Sequence, residues 1–194
     1  MCWYSTDTMQ HQAQQQDVLQ FWFEELSHEE RFNGSDEIDT TIRERFADIH
    51  RAVAAGEWWK ERTNAEAYLA EIIVLDQFSR NIYRGSGQAF AYDGQALTLA
   101  QHAVAVGFDT ALPAEQQLFV YLPFMHSESR VMHEEAVVLF KALGDEEALK
   151  YEHIHKDIID QFGRYPHRNA VLGRESTPEE IAYLENNHEA FFNV

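Results

Sequence analysis

Three observations predict an all-α fold, an antiparallel helical-hairpin stack of seven or eight helices. Apolar residues recur every three or four positions along most of the chain, as on the buried face of a helix. Glycines, prolines and capping residues interrupt this pattern at short intervals. No stretch shows the alternating β-branched residues of a strand. Because no linker divides the chain, we expect one domain over residues 11–194, preceded by a polar tail at 1–10 that frays.

The first two helices are predicted at residues 11–26 and 36–55. Trp22 and Phe23 give the first helix a large aromatic ridge. The second has Ser35 in position to cap it and Gly56 in position to end it. Its apolar residues recur at spacings of 4, 4, 3 and 4, which predicts an amphipathic helix. These residues are Ile38, Ile42, Phe46, Ile49 and Val53.

A central helix is predicted over roughly residues 65–85, apolar on nearly all sides. Asp76, Arg80 and Arg84 are the exceptions, because they place three charges at i, i+4 and i+8 along one stripe. Buried charges are costly unless they are paired, so we predict a direct ion pair between Asp76 and Arg80. The residues expected to be among the most buried are Leu69, Ile72 and Phe78.

The remaining helices follow from proline, glycine and capping signals. Pro123 is expected to end or kink a helix over 113–124, which places His126 at or beyond the break. Thr177, Pro178 and Glu180 give a strong start to the last helix. The helix pairs expected to form hairpins lie near residues 36–55 and 64–84, 93–106 and 113–124, and 128–142 and 146–162.

Composition narrows the classes of function. The net charge of −18 argues against a nucleic-acid or anionic membrane surface, since both need a basic face. Cys2 is the single cysteine, so no disulfide can form within the chain. The first ten residues lack the basic and apolar regions of a secretory signal, and no segment is apolar over the length of a membrane helix. We therefore expect a soluble, cytoplasmic protein.

Five arginines cluster in two places in this acidic chain. Arg80 and Arg84 end the central helix, and Arg164, Arg168 and Arg174 lie in the irregular segment after the helix at 146–162. Guanidinium groups suit bidentate binding of carboxylate or phosphate, which predicts a cleft for an anionic small molecule or a peptide carboxylate. The segment is expected to fold onto the C-terminal end of the central helix. Alternatively, carboxylates and loop carbonyls consume these arginines, and the network is structural.

Two other functions stay open at this point. A hydrolase-like enzyme would use His167 or His126 as acid or base, but the sequence shows no nucleophile for it. If the protein is instead a protein-interaction scaffold, the charge network of the arginines only stabilises the fold. His155 is expected to be a hydrogen-bonded core residue on the face of Tyr151, Ile158 and Phe162, and no metal site or cofactor motif is evident. The candidate ligand-binding residues are Asp76, Arg80, Asn81, Arg84, His126, Arg164, His167, Arg168, Asn169 and Arg174.

Long motifs resemble those of an uncharacterised bacterial family, domain of unknown function 924. They lie at residues 76–85 (DQFSRNIYRG), 123–128 (PFMHSE), 164–169 (RYPHRN) and 172–180 (LGRESTPEE). The resemblance spans residues 18–184 and implies a helical fold similar to tetratricopeptide-repeat domains, with no implied activity. Ser79 stands where the family commonly has proline, and Tyr165 stands where it commonly has phenylalanine.

Overall fold

The computed structural model describes residues 5–187, and the regular secondary structure of this part of the chain is all helical, without a strand. Nine helices are present there, one more than expected, because six residues before Gly34 form an additional short helix. The helices are α1 (Ser5–Gln20), α2 (His28–Asn33), α3 (Asp36–Ala54), α4 (Ala65–Ile72, Ile73–Phe78 and Ser79–Ile82, continuous), α5 (Asp93–Ala105), α6 (Ala114–Met125), α7 (Arg130–Leu143), α8 (Glu146–Phe162) and α9 (Pro178–Asn186).

The polar start of the chain differs from expectation. Helix α1 begins at Ser5, inside the stretch 1–10 that was expected to fray, while residues 1–4 lie outside the described residues. The helix continues into a π segment at Phe21–Glu25, which places Phe21 and Trp22 in the core. The aromatic ridge predicted for this helix therefore packs inward.

Local capping signals set several helix ends as expected. The Ser35 hydroxyl accepts a hydrogen bond from the Ile38 amide at 3.2 Å at the start of α3. Thr177 and Glu180 form a reciprocal capping box at the start of α9. Gly163 ends α8 at a φ of 70°, a backbone conformation that favours glycine.

Pro123 lies in the last turn of its helix, whose end agrees with the expected end to within one residue. Helix α6 continues to Met125, and His126 forms its C-cap. A proline in the last turn removes only one backbone hydrogen bond, and the His126 amide still donates to the Leu122 carbonyl. His126 is therefore held at a fixed helix end.

Helix α4 runs through the centre of the core. Leu69 and Phe78 are fully buried and Ile72 is 1% exposed, which confirms the predicted burial. The Phe78 ring lies 4.8 Å from the Phe46 ring and 5.7 Å from the Trp22 ring, centroid to centroid. Three helices thus meet on one aromatic side chain.

The middle of α4 is a π segment, Ile73–Phe78, which the periodicity did not predict. A π turn holds more residues than an α turn, so the faces of the helix shift across it. Asp76 lies within this segment, and Arg80 follows it. Segments of this kind are frequent at functional sites.

Neighbouring helices pack against one another along the chain. Helix α4 contacts α1, α3, α5 and α6, while α6 packs on α7 and α7 on α8. This arrangement is compatible with a stack of helical hairpins, and the likeness to tetratricopeptide repeats stays a prediction. None of the helices within residues 5–187 has both the length and the apolar character needed to cross a membrane.

Candidate functional site

A cleft of about 640 Å³ opens between α2, α4, α6, α8 and the segment that follows α8. This volume lies within the range common for small-molecule sites. Leu118, Leu122 and Met125 give it an apolar wall on α6. Six of the ten candidate residues line it: Arg80, Asn81, Arg84, His126, His167 and Arg168.

Asp76 lies directly behind this lining and is fully buried. Its carboxylate is 3.1 Å from Arg80 Nη1, which confirms the predicted ion pair. Arg80 also reaches Asp93 with both terminal nitrogens, at 3.1 and 3.2 Å. Asp93 begins α5, and no local sequence pattern predicts that it joins the site.

The segment after α8 docks against this group through Arg168. Arg168 Nη1 donates to Asp93 Oδ2 at 3.1 Å, so Arg80 and Arg168 share one carboxylate. The guanidinium also lies 4.4 Å from the Phe90 ring centroid and 4.6 Å from the Tyr165 ring centroid. The prediction that this segment approaches the Asp76 and Arg80 pair is therefore confirmed.

Arg168 is a buried cation with few partners. The residue is 5% exposed, and its Nε is buried with no hydrogen-bond partner among the described residues. Burial and the nearby charge of Arg80 lower the pKa of Arg168, although Asp93 opposes this shift. Among the described residues, Arg168 therefore has one ion-pair partner, Asp93, which it shares with Arg80.

Arg164, Asn169 and Arg174 do not line the cleft, which corrects part of the expected site. Arg164 Nε and Nη2 donate to Glu180 at 2.6 and 2.7 Å. Arg174 Nη1 and Nη2 donate to Glu128 at 2.6 and 2.9 Å. Both guanidinium groups are engaged in bidentate pairs, and Asn169 donates to Glu180 at 3.1 Å. These residues fix the shape of the segment.

Arg84 and Asn81 line the cleft but share a partner that the sequence did not reveal. Arg84 Nε and Nη2 donate to the Asp39 carboxylate at 2.6 and 3.0 Å. Asn81 Nδ2 donates to the same carboxylate at 2.8 Å. Asp39 comes from α3 and is buried, so the cation of Arg84 is largely compensated.

His126 and Asp76 form a hydrogen-bonded pair. His126 Nδ1 lies 2.8 Å from Asp76 Oδ1, and Gln77 Nε2 donates to the other carboxylate oxygen at 2.6 Å. Burial opposes ionisation of Asp76, but Arg80 and His126 hold its pKa below the usual value. Burial and the charge of Arg80 lower the pKa of His126. At neutral pH the imidazole is therefore uncharged and donates its Nδ1 proton to the carboxylate.

The second ring nitrogen of His126, Nε2, is available to a ligand in the cleft. None of the residues in the described part of the chain is hydrogen-bonded to Nε2, and this atom is not fully buried. In the uncharged tautomer Nε2 carries a lone pair and accepts a proton or a hydrogen bond. The buried carboxylate of Asp76 thus fixes the orientation of the His126 ring, as in sites where a histidine acts as a base.

His155 also lines the cleft, which corrects its expected place in the core. Its Nδ1 donates to the Tyr151 carbonyl at 2.8 Å, and Tyr151 itself is 52% exposed. The face of α8 lines the cleft along its first half and passes into a small core farther on, where Ile158 packs near Tyr165. The expected hydrogen bond is present, but the residue borders the cleft.

A second buried network supports this end of the cleft from behind. His133 Nδ1 lies 2.8 Å from Glu152 Oε1, and both residues are fully buried. His133 Nε2 lies 2.9 Å from the Ser127 carbonyl and 3.1 Å from the Tyr165 hydroxyl. The Tyr165 hydroxyl donates to the Met125 carbonyl. The ring on which Arg168 stacks is therefore held by α6, α7 and α8 together.

We expect the free energy of unfolding to fall as the pH is lowered from about 6.5 towards 4.5. Burial lowers the pKa of His50 and His155 to about 4 and that of His167 to about 3. In this window the unfolded chain binds more protons than the folded chain, so acid favours unfolding. Burial raises the pKa of Glu152, so this residue makes the free energy of unfolding rise as the pH is lowered.

Urea unfolding at several pH values measures this slope. His50 donates or accepts a 2.8 Å hydrogen bond with Ser79, and a His50→Gln variant should unfold with a flatter dependence between pH 6.5 and 4.5. An unchanged slope in this variant would show that His50 titrates normally in the folded protein.

Comparison with known proteins agrees with the motifs. The family model described as bacterial protein of unknown function (DUF924) matches residues 18–188. Among solved structures, the protein of unknown function ATU0120 from Agrobacterium tumefaciens is 36% identical, with a TM-score of 0.86. The match covers 90% of this chain and 98% of that one. A search of curated proteins gives no match. The chain therefore belongs to the DUF924 family.

Proposed function

We propose that the protein binds a small anionic molecule or a peptide carboxylate in the cleft, with the anionic group at Arg168. The observation that carries this proposal is the state of Arg168, a buried cation that shares its carboxylate partner with Arg80. An anion placed beside it would supply the hydrogen bonds and charge that Asp93 alone does not.

The arginines of the cleft act on its histidines. Arg80 contributes to the lowered pKa of His126, and Arg168 contributes to that of His167, after burial in both cases. An anion beside these arginines would reduce their repulsion on the two imidazoles. The arginines cluster here although the net charge of the whole chain is −18.

The rest of the cleft indicates a ligand with an apolar body. Leu118, Leu122 and Met125 lie at spacings of four and three on α6, so they form one face. Ile154 lines the cleft from α8. A carboxylate or phosphate attached to an apolar chain or ring fits both parts, as in sites where few polar groups fix orientation.

Thermal unfolding and calorimetric titration with hexanoate and with inorganic phosphate test the proposal. We expect both probes to raise the melting temperature with rising concentration. At a probe concentration of one hundred times the dissociation constant, the free energy of unfolding should rise by about 2.7 kcal/mol. Arg168→Gln should abolish the response. Arg130→Gln is the matched control, since Arg130 is exposed, binds main-chain carbonyls of α8 and lies outside the cleft lining.

Two results would count against binding. One is a melting temperature that neither probe changes, and the other is an equal response in wild type and in a folded Arg168→Gln variant. Circular dichroism at 222 nm establishes that the variant is folded. A negative result would favour the scaffold alternative, in which the charge network only holds the segment after α8.

A further inference from the structure

We propose that the cleft also hydrolyses an ester bond in its ligand, with His126 as the general base and Asp76 as its positioning residue. The inference rests on the proposed binding of an anionic ligand at Arg168. It goes beyond binding because it assigns a reaction to the neighbouring imidazole.

The geometry around His126 is that of an oriented base. Asp76 is fixed by Arg80 at 3.1 Å and by Gln77 at 2.6 Å, so its position does not depend on His126. The Asp76 carboxylate accepts a 2.8 Å hydrogen bond from the Nδ1–H of His126, and Nε2 is therefore the ring nitrogen that can accept a proton. The charged and titratable groups around this pair are Arg80, Asp93, His155 and Arg168.

Water is the nucleophile that this lining allows. Among the described residues that line the cleft, none is serine, threonine or cysteine. An oriented imidazole without such a neighbour can still act by deprotonating a water molecule within hydrogen-bond reach of Nε2. Hydrolysis without a covalent intermediate therefore fits the residues present.

The reaction balances in two proton transfers. His126 Nε2 takes a proton from water while the water oxygen bonds to the ester carbonyl carbon. The resulting tetrahedral intermediate breaks its carbon–oxygen bond to the leaving group. His126 then returns the proton to the departing alkoxide, so the products are a carboxylic acid and an alcohol, and the enzyme is regenerated.

A continuous set of contacts places the cations beside this reaction. His126 contacts Asp76, Asp76 contacts Arg80, and Arg80 and Arg168 meet on Asp93, with each link between 2.8 and 3.2 Å. The negative charge that develops on the carbonyl oxygen lies in the field of both arginines. Fixed positive charge of this kind stabilises such an intermediate without reorganisation.

The substrate class follows from these features as an ester that also carries an anionic group. We choose mono-4-nitrophenyl adipate as the probe, because it joins a carboxylate to an ester through an apolar chain. Its matched control is 4-nitrophenyl hexanoate, which has the same chain length and no carboxylate. We expect the full-length protein to hydrolyse the anionic ester at least about 10-fold faster in kcat/KM, a preference of the size that one good charged contact gives.

Variants separate the roles of the residues. His126→Gln should lower kcat by at least about 100-fold, the low end of general base catalysis. His153→Gln is the matched control, since His153 lies on the exposed side of α8, and its kcat should match wild type. Exogenous imidazole should restore hydrolysis in His126→Gly above the rate that the same imidazole gives without protein, which a purely structural histidine would not show.

The pH profile tests the positioning role of Asp76. The wild-type kcat should fall on the acid side with an apparent pKa below 6.5, and Asp76→Asn should shift this value while leaving residual activity. If Asp76→Asn does not fold, the imidazole rescue and the wild-type profile still decide whether His126 is the base. An unshifted profile in a folded Asp76→Asn variant overturns the positioning role.

Binding and hydrolysis can fail separately in these experiments. If adipate raises the melting temperature but the nitrophenyl ester is hydrolysed no faster than in buffer, the catalytic inference is wrong and the binding proposal stands. If hydrolysis occurs but His126→Gln leaves it intact, another group is the base. If neither hexanoate nor phosphate changes the melting temperature and no hydrolysis occurs, both are wrong.

Discussion

Replacing Asp76 with asparagine should lower the free energy of unfolding by about 3–5 kcal/mol. The carboxylate is fully buried and serves Arg80, His126 and Gln77 at once. An amide cannot balance the charge of Arg80, which is itself only 9% exposed and would be left with Asp93, shared with Arg168. Urea unfolding at pH 7 gives the difference directly.

Asp48→Asn provides the comparison for this experiment. Asp48 forms an ion pair with Arg51, but both side chains are largely exposed, at 89% and 67%. Exposed pairs contribute about 0–1 kcal/mol, so this variant should unfold close to wild type. Equal midpoints for the Asp76 and Asp48 variants would mean that the buried network adds nothing to stability.

Replacing Phe78 with alanine should lower the free energy of unfolding by about 3–5 kcal/mol. The fully buried ring contacts the rings of Phe21 and Trp22, in the π segment that continues α1, and of Phe46 in α3. Its removal leaves a cavity that these large neighbours cannot close without moving whole helices. Phe32→Ala is the control, because Phe32 is 38% exposed and should cost much less.

Chemical denaturation of both phenylalanine variants measures these costs under one set of conditions. A loss below about 1 kcal/mol for Phe78→Ala would mean that the core collapses around the missing ring. It would also mean that α4 is not the fixed centre on which the other helices pack.

Local features of the site were predictable from the sequence. The Asp76 and Arg80 pair follows from a spacing of four residues on one helix, and the capping box of Thr177 and Glu180 from three adjacent signals. The burial of Leu69 follows from the apolar surroundings of α4 in the sequence. Each of these depends on residues within one turn or one helix.

The partners that the arginines find in other helices were not predictable, because they depend on how separate helices pack. Asp39 pairs with Arg84, which lies 45 positions farther along the sequence. Asp93 contacts both Arg80 and Arg168, and Arg168 lies 75 positions after Asp93. Nothing in the local pattern distinguishes these aspartates from others in an acidic chain. The same holds for Glu128, which removes Arg174 from the cleft.

The π segment of α4 sets the direction in which the site faces. One residue turns an α-helix by about 100°, so the extra residue in such a segment rotates everything that follows it. Deleting a single residue between Ile73 and Phe78 would restore regular helical hydrogen bonding, yet it would turn Arg80, Asn81 and Arg84 away from the cleft. The π segment thus sets the rotation between two halves of one helix. The first half presents its apolar side chains to the core, and the second half presents its polar side chains to the cleft.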